Sequence, residues 1–223
     1  MPETYLIIGA GPGIGLATAR RFADAGYRII LASRSGEKLE RLAAPLRAGG
    51  ADVALELVDT SDARQVDALV QRRGGEADVL HYNAGALHYD AAGALVFKML
   101  EDTDVATIVS DIGTNITGAL VAIRSVVPCM VARKSGTILL TGGGPALKPY
   151  PETMTLNVGK AGLRMAAQAL FEPLRAKGVH VATVTVFGGI GPDSTETRDI
   201  AEAFWQLHTQ PRENWMWEIK YRE

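Results

Sequence analysis

Cysteine occurs once in 223 residues, at Cys129. A disulfide framework within the chain is therefore impossible, and nothing points to an oxidising compartment. A lone cysteine of this kind is expected to be a small apolar residue of the core. Neither sign of charge dominates, since 23 Lys and Arg stand against 25 Asp and Glu. A basic surface for nucleic acid or anionic lipid is thus not expected, and a small molecule is the expected partner. No apolar run reaches the ~20 residues of a membrane-spanning helix, and no basic region followed by an apolar segment and cleavage site opens the sequence. These absences lead us to expect a soluble, cytoplasmic protein. Repeats and polar or Pro-rich linkers are also lacking, so one domain is expected over residues 1–223, and no metal site is assigned.

What is present is a glycine turn. Thr4 to Ile8 is a short β-rich apolar run, and an alanine-rich helical pattern extends from Ile14 to Ala25, where Gly26 suits a left-handed cap. Between them lies Gly9-Ala10-Gly11-Pro12-Gly13-Ile14-Gly15. Glycines let a backbone approach a ligand without Cβ atoms intervening, and the free N–H groups of a helix start favour a phosphate. The G-x-G-x-x-G spacing fails in either register, and a P-loop is excluded for want of Gly-Lys-Ser/Thr. Gly9-x-x-x-Gly13-x-Gly15 fits, with Gly11 and Ile14 in the same turn, and reads as a pyrophosphate cradle. The alternative is a turn whose glycines serve only close packing.

The rest of the chain repeats the strand–helix rhythm. Strands are predicted at 28–33, 51–58, 77–82, 137–141 and 179–187, with an edge strand within 215–221. Helices are predicted at 37–47, after Ser61-Asp62, at 104–133, through Leu163 to Leu170, and at 197–207. The long helix carries the stripe Ile108, Ile112, Ile116 or Ala119, and Ile123, with Pro128 bending its last part. Strands without polar alternation, separated by helices, imply an α/β fold: a Rossmann-type doubly wound parallel sheet of about seven strands, helices on both faces.

Ligands of such sheets bind at the carboxyl ends of the strands. Ser33-Arg34 follows the second strand, where a carboxylate would accept the ribose 2′-hydroxyl of NAD. A guanidinium there suits a 2′-phosphate instead, which favours NADP(H) over NAD(H). Asp59 is placed either to accept from an adenine amino group or to cap a turn. Asn83-Ala84-Gly85 ends the fourth strand, and the two small residues would admit cofactor ribose.

At these residues the chain resembles the short-chain dehydrogenase/reductase family. The resemblance rests on Gly9-x-x-x-Gly13-Ile14-Gly15, Asn83-Ala84-Gly85, Asn115 in the long helix, and Lys160 in Leu156-Asn157-Val158-Gly159-Lys160-Ala161. It implies a nicotinamide cofactor, hydride transfer to or from a carbonyl or alcohol, and a homodimer or homotetramer. Lys160 and Asn115 correspond to the family's catalytic lysine and asparagine, and Gly188 and Ile190, after the sixth strand, belong to the implied cofactor set. The family's tyrosine and serine positions hold Leu156 and Gly143, which have no proton to give and no hydroxyl to orient a carbonyl.

Three replacements for the phenol present themselves: Tyr150 in the Pro-rich loop, which is preferred, then Tyr82, and the His88-Tyr89 pair. The segment from Phe187 to Pro192 runs almost at once into the next helix, which implies a short lid. Two functions follow, an NADP(H)-dependent oxidoreductase with an altered active site, or a non-catalytic dinucleotide-binding sensor or scaffold. Trp205, Trp215 and Trp217 read as an interface cluster, or as rings completing the monomer's own edge.

Overall fold

The computed structural model describes residues 2–92 and 94–222. In chain order it contains β1 Thr4–Ile8, α1 Ile14–Asp24, β2 Arg28–Ser33, α2 Gly36–Ala48, β3 Val53–Leu57, α3 Ala63–Arg73 and β4 Val79–Tyr82. There follow α4 Val105–Ile112, a π-helical turn Gly113–Thr117, α5 Gly118–Arg133, β5 Thr137–Thr141, α6 Met154–Arg175, β6 His180–Val186, α7 Thr195–Thr209 and β7 Glu218–Tyr221. All seven strands are parallel, in the order β3-β2-β1-β4-β5-β6-β7. The predicted doubly wound sheet is the one observed.

Continuous apolarity in the strands follows from burial of both faces. In β1, Leu6 and Ile8 join one core cluster with residues of α3, α5 and α6. Tyr5 and Ile7 join the other, with residues of α1, α2 and α7. Each fully buried aliphatic side chain contributes about 1.5–3 kcal/mol, so a one-residue register slip in β1 would exchange two well-filled faces. Strand order reverses between β1 and β4, and the crevice at their carboxyl ends is where open sheets of this type take ligands.

Several expectations are corrected. The long helix buries Asp111, Asn115, Ala119, Ala122, Ile123, Val126 and Met130, whereas Ile108, Ile112 and Ile116 are only half-buried. The π-helical turn adds a residue to the ladder and shifts the phase of the stripe, so the irregularity falls there while the helix runs on through Pro128 to Arg133. Together these helical pieces form a run, Val105–Arg133, long and apolar enough to cross a membrane, which the absence of long apolar runs had excluded. Its inner side packs on the sheet, α3 and α6, so its apolarity has a use within the fold.

Cys129 lies exposed on α5 rather than in the core. The tryptophans form no cluster. Trp205 packs edge-on against Phe22 with Arg21 over its face, Trp215 stacks on His180 at 4.6 Å, and Trp217 lies against Arg164. All three rings are half-buried within the chain's own packing.

Candidate active site

The glycines of the first turn divide into two kinds. Gly9 has φ +92°, and a Cβ there would lie 2.4 Å from the Ala84 backbone nitrogen. Gly15 packs against Asn83 and Ile7. By contrast, a Cβ on Gly11 or Gly13 would meet nothing within 4 Å. Gly13 also precedes α1 without any side-chain cap, and no acidic residue occupies the first turn. Gly9 and Gly15 thus bring the turn onto the sheet, while Gly11 and Gly13 leave open space at a helix N-terminus, where backbone N–H groups and the helix dipole suit an anion.

At the end of β2 the Ser33 hydroxyl is buried without a hydrogen-bond partner. Arg34 beside it is exposed and makes no ion pair or hydrogen bond among the described residues. A buried, unsatisfied hydroxyl next to a free guanidinium fits a ligand with several acceptor oxygens. Asp59 Oδ1 accepts from the Ser61 amide at 3.0 Å and the Ser61 hydroxyl at 2.8 Å, closing a local turn. Gly188 adopts φ +89° in open space, and half-buried Ile190 packs against the same core cluster as Ile14.

A directed chain of hydrogen bonds ties the sheet interior to this turn. Tyr5 Oη lies 2.5 Å from His81 Nδ1, and His81 Nε2 lies 2.8 Å from Thr141 Oγ1. The Thr141 hydroxyl donates to Asn83 Oδ1 at 2.8 Å, and Asn83 Nδ2 donates to the Gly9 carbonyl at 2.8 Å. Because Thr141 uses its proton on Asn83, it accepts from His81 Nε2–H, which leaves Nδ1 to accept from the phenol. The imidazole must be neutral for the chain to close. Sequence reasoning missed His81 and Thr141, whose only signal was a polar residue within each of two apolar strands.

Burial pushes the His81 pKa down to about 3, and nearby Lys160 adds to the effect. A histidine held neutral in the fold but free to protonate when unfolded stabilises the fold above its unfolded pKa near 6.5. That stability is lost as pH falls from 6.5 towards 3. Between pH 7 and pH 5 the loss from His81 should be about 2 kcal/mol. Urea unfolding of the parent and His81→Gln at both pH values checks this, and an equal drop in the two proteins would assign the loss elsewhere.

Lys160, Asn115, Gly85 and Gly143 converge. Lys160 Nζ donates to the Thr141 carbonyl at 2.7 Å, and burial lowers its pKa to about 8. A Cβ on Gly85 would lie 3.8 Å from Lys160 Nζ and 3.9 Å from Asn115 Oδ1; one on Gly143 would lie 3.3 Å from Lys160 Cγ. Asn115, within the π-helical turn and 1% exposed, accepts from the Ala86 amide at 2.7 Å and donates to the Thr155 carbonyl at 3.3 Å. Both ends of its amide hold main chain, and it braces the segment after β4 against the start of α6. Leu156, one turn before Lys160 on α6, lines a cavity of about 250 Å³.

Not every expected residue reaches this place. The Tyr150 side chain is 57% exposed and does not line that cavity. Its carbonyl is what binds, accepting from Asn157 Nδ2 at 2.6 Å. Tyr82 is fully buried, with its hydroxyl donating to the Thr114 carbonyl at 2.6 Å, and burial raises its pKa. His88 and Tyr89 do line the cavity.

The profile of the short chain dehydrogenase family matches residues 3–202. A serine 3-dehydrogenase of Rhizobium radiobacter is 32% identical over 184 residues, covering 82% of this chain and 71% of the relative. Among solved structures, a short-chain dehydrogenase from Rhodopseudomonas palustris superposes with TM-score 0.85 at 27% identity, covering 99% and 98% of the two chains. A metagenomic short-chain oxidoreductase solved with NADP gives TM-score 0.85 at 24% identity, covering 98% and 96%. With the glycine turn, the parallel sheet and a match spanning most of its length, the chain belongs to the short-chain dehydrogenase family.

Proposed function

We propose that the protein is an NADP(H)-dependent oxidoreductase of atypical active site, acting on a small carbonyl or alcohol. The observation that carries the reading is the open space over Gly11 and Gly13, combined with the unpartnered Ser33 hydroxyl and Arg34 at the next strand end. The pyrophosphate would lie on the start of α1, the 2′-phosphate on Ser33 and Arg34, and the adenine near Asp59. NADP is also the cofactor of the metagenomic neighbour, whose fold this chain shares.

When bound, the nicotinamide supplies or accepts a hydride. Ala84 and Gly85 would leave room for its ribose, and Lys160 would hold the ribose hydroxyls. Asn115 keeps the Ala86 and Thr155 main chain in place around the reacting centre. What makes the site atypical is that Leu156 and Gly143 stand where the family carries tyrosine and serine. That same fact supports a second reading, a non-catalytic dinucleotide-binding sensor or scaffold. We further propose a cytoplasmic homodimer or homotetramer, supported by exposed Val109, Leu120, Val158 and Met165 on α4, α5 and α6.

A thermal-shift titration with NADPH, NADP, NADH and NAD, followed by assays on a carbonyl panel, separates the readings. Stabilisation by NADPH with turnover supports the enzyme, and stabilisation without turnover supports the sensor. Arg34→Ala should weaken NADPH by about 2 kcal/mol, roughly 30-fold, because a charge-assisted contact is lost. NADH affinity should stay within a factor of two or so, the range expected for an exposed substitution away from the ligand. Equal losses for both cofactors would remove the 2′-phosphate from Arg34.

A further inference from the structure

Asp111 is 3% exposed on α4, one turn before Asn115 and on the same side of the helix. A carboxylate in so buried a position needs partners to offset its desolvation. It has two: the Thr155 hydroxyl donates to Oδ2 at 2.7 Å, and His88 Nε2 lies 3.0 Å from Oδ1 and 3.1 Å from Oδ2. Asp111 thus repeats one turn earlier what Asn115 does, joining the segment after β4 to the start of α6.

The His88 ring is held at one end only. Its side chain is 54% exposed, and Nδ1 makes no hydrogen bond among the described residues. The backbone around it is pinned: Val96 N donates to the His88 carbonyl at 2.9 Å, Asp90 N to the Ala94 carbonyl at 2.9 Å, and Tyr89 bridges to Leu95. His88 lines the cavity that Leu156 also lines, where Leu87, Leu95, Phe97 and Leu100 supply apolar wall beside polar residues that include Lys98 and Glu152. An imidazole oriented by a carboxylate through one nitrogen, on a side chain that lines a cavity and with its other nitrogen unengaged, is the arrangement of a general acid–base group.

We propose that His88 is the catalytic proton donor and acceptor of this chain, that Asp111 is its positioning residue, and that the cavity takes the apolar body of a small ketone or aldehyde. This rests on the NADP(H) oxidoreductase reading above. In the reduction, the carbonyl carbon accepts a hydride from the dihydronicotinamide and the π pair of C=O moves to oxygen. That oxygen takes the Nδ1 proton of the His88 imidazolium, leaving an alcohol, an oxidised nicotinamide and a neutral imidazole, which then takes up the solvent proton that the reduction consumes. Asp111, itself held by the Thr155 hydroxyl, holds the imidazole throughout, and neither residue exchanges a proton with the substrate.

The test uses the full-length protein, NADPH and acetophenone. Binding is read by thermal shift for NADPH and by saturation-transfer NMR for acetophenone without cofactor, and reduction is read by NADPH absorbance. His88→Gln, at an exposed position, should leave both binding signals unchanged and lower kcat by about 10²–10⁴. Added imidazole should restore part of the rate to His88→Gly, which a merely structural role would not allow. Leu156→Trp should abolish the acetophenone signal while NADPH affinity stays as in the parent. Parent NADPH binding and acetophenone reduction that persist unchanged in His88→Gln would overturn the proposal alone. Failure of NADPH to bind would overturn the oxidoreductase reading together with it. NADPH binding with neither acetophenone signal nor reduction would overturn the substrate class.

Discussion

Leu156→Tyr together with Gly143→Ser, introduced into His88→Gln, is expected to restore carbonyl reduction by about 10²–10⁴ over the His88→Gln background, the usual worth of a positioned general acid. A phenol at position 156 would stand one helical turn before Lys160 on the same face of α6. An ammonium there favours the phenolate and so lowers the phenol pKa towards working pH. Lys160 already faces this place, donating to the Thr141 carbonyl. The serine is compatible with the backbone, since Gly143 is extended at φ −164° and ψ 150°. Its Cβ would press on the flexible Lys160 stem at 3.3 Å, so the lysine must give by a few tenths of an ångström. The measurement is kcat and KM for acetophenone with NADPH in the parent, His88→Gln and the triple variant. A folded triple variant that binds NADPH yet gains no rate would show that the edge of α6 does not face the reacting carbonyl.

The glycine turn yields the second large effect, and it separates two residues that look alike in the sequence. Gly13→Val should cost the fold less than Gly9→Ala does, because a Cβ at Gly13 meets nothing within 4 Å. The same branch occupies the space a pyrophosphate needs, and overpacking of about 1–3 kcal/mol corresponds to roughly a 5- to 150-fold loss of NADPH affinity. Gly9→Ala should do the reverse and damage the fold itself. It combines a positive φ with a Cβ driven into the Ala84 backbone, and either alone costs of order 1–3 kcal/mol. Differential scanning calorimetry and isothermal titration on both variants decide the matter. Undiminished NADPH binding by folded Gly13→Val would move the cofactor away from α1.

Local chemistry made much of this protein legible before any coordinates. Apolar runs at strand length separated by helix-length segments led to a parallel sheet buried on both faces, because in β1 every residue from Thr4 to Ile8 is buried. Gly9, Gly13 and Gly15 marked the turn, whereas Lys160 and Asn115 were picked out only through the resemblance to the short-chain dehydrogenase/reductase family. Caps were equally readable: Ser35 and Asp62 accept amides at the starts of α2 and α3, as their side chains predict.

Tertiary structure decided what depends on distant partners. His88, Asp111 and Thr155 are 23 and 44 positions apart along the chain, and nothing in the spacing of a histidine, an aspartate and a threonine announces that they touch. The buried stripe of the long helix could not be phased from the sequence, because the π-helical turn at Gly113–Thr117 breaks the 3.6-residue period on which the reading depends. The exposure of Cys129 went unseen for another reason: it was judged from the usual burial of a lone cysteine and not from its place on α5. On paper Tyr150 was the preferred phenol and Tyr82 the next, yet one lies out in solvent and the other is sealed beneath α5. Periodicity and turn chemistry are properties of neighbours in the chain and survive without a fold, whereas burial, orientation and proton-donor geometry belong to contacts that exist only after the sheet has closed.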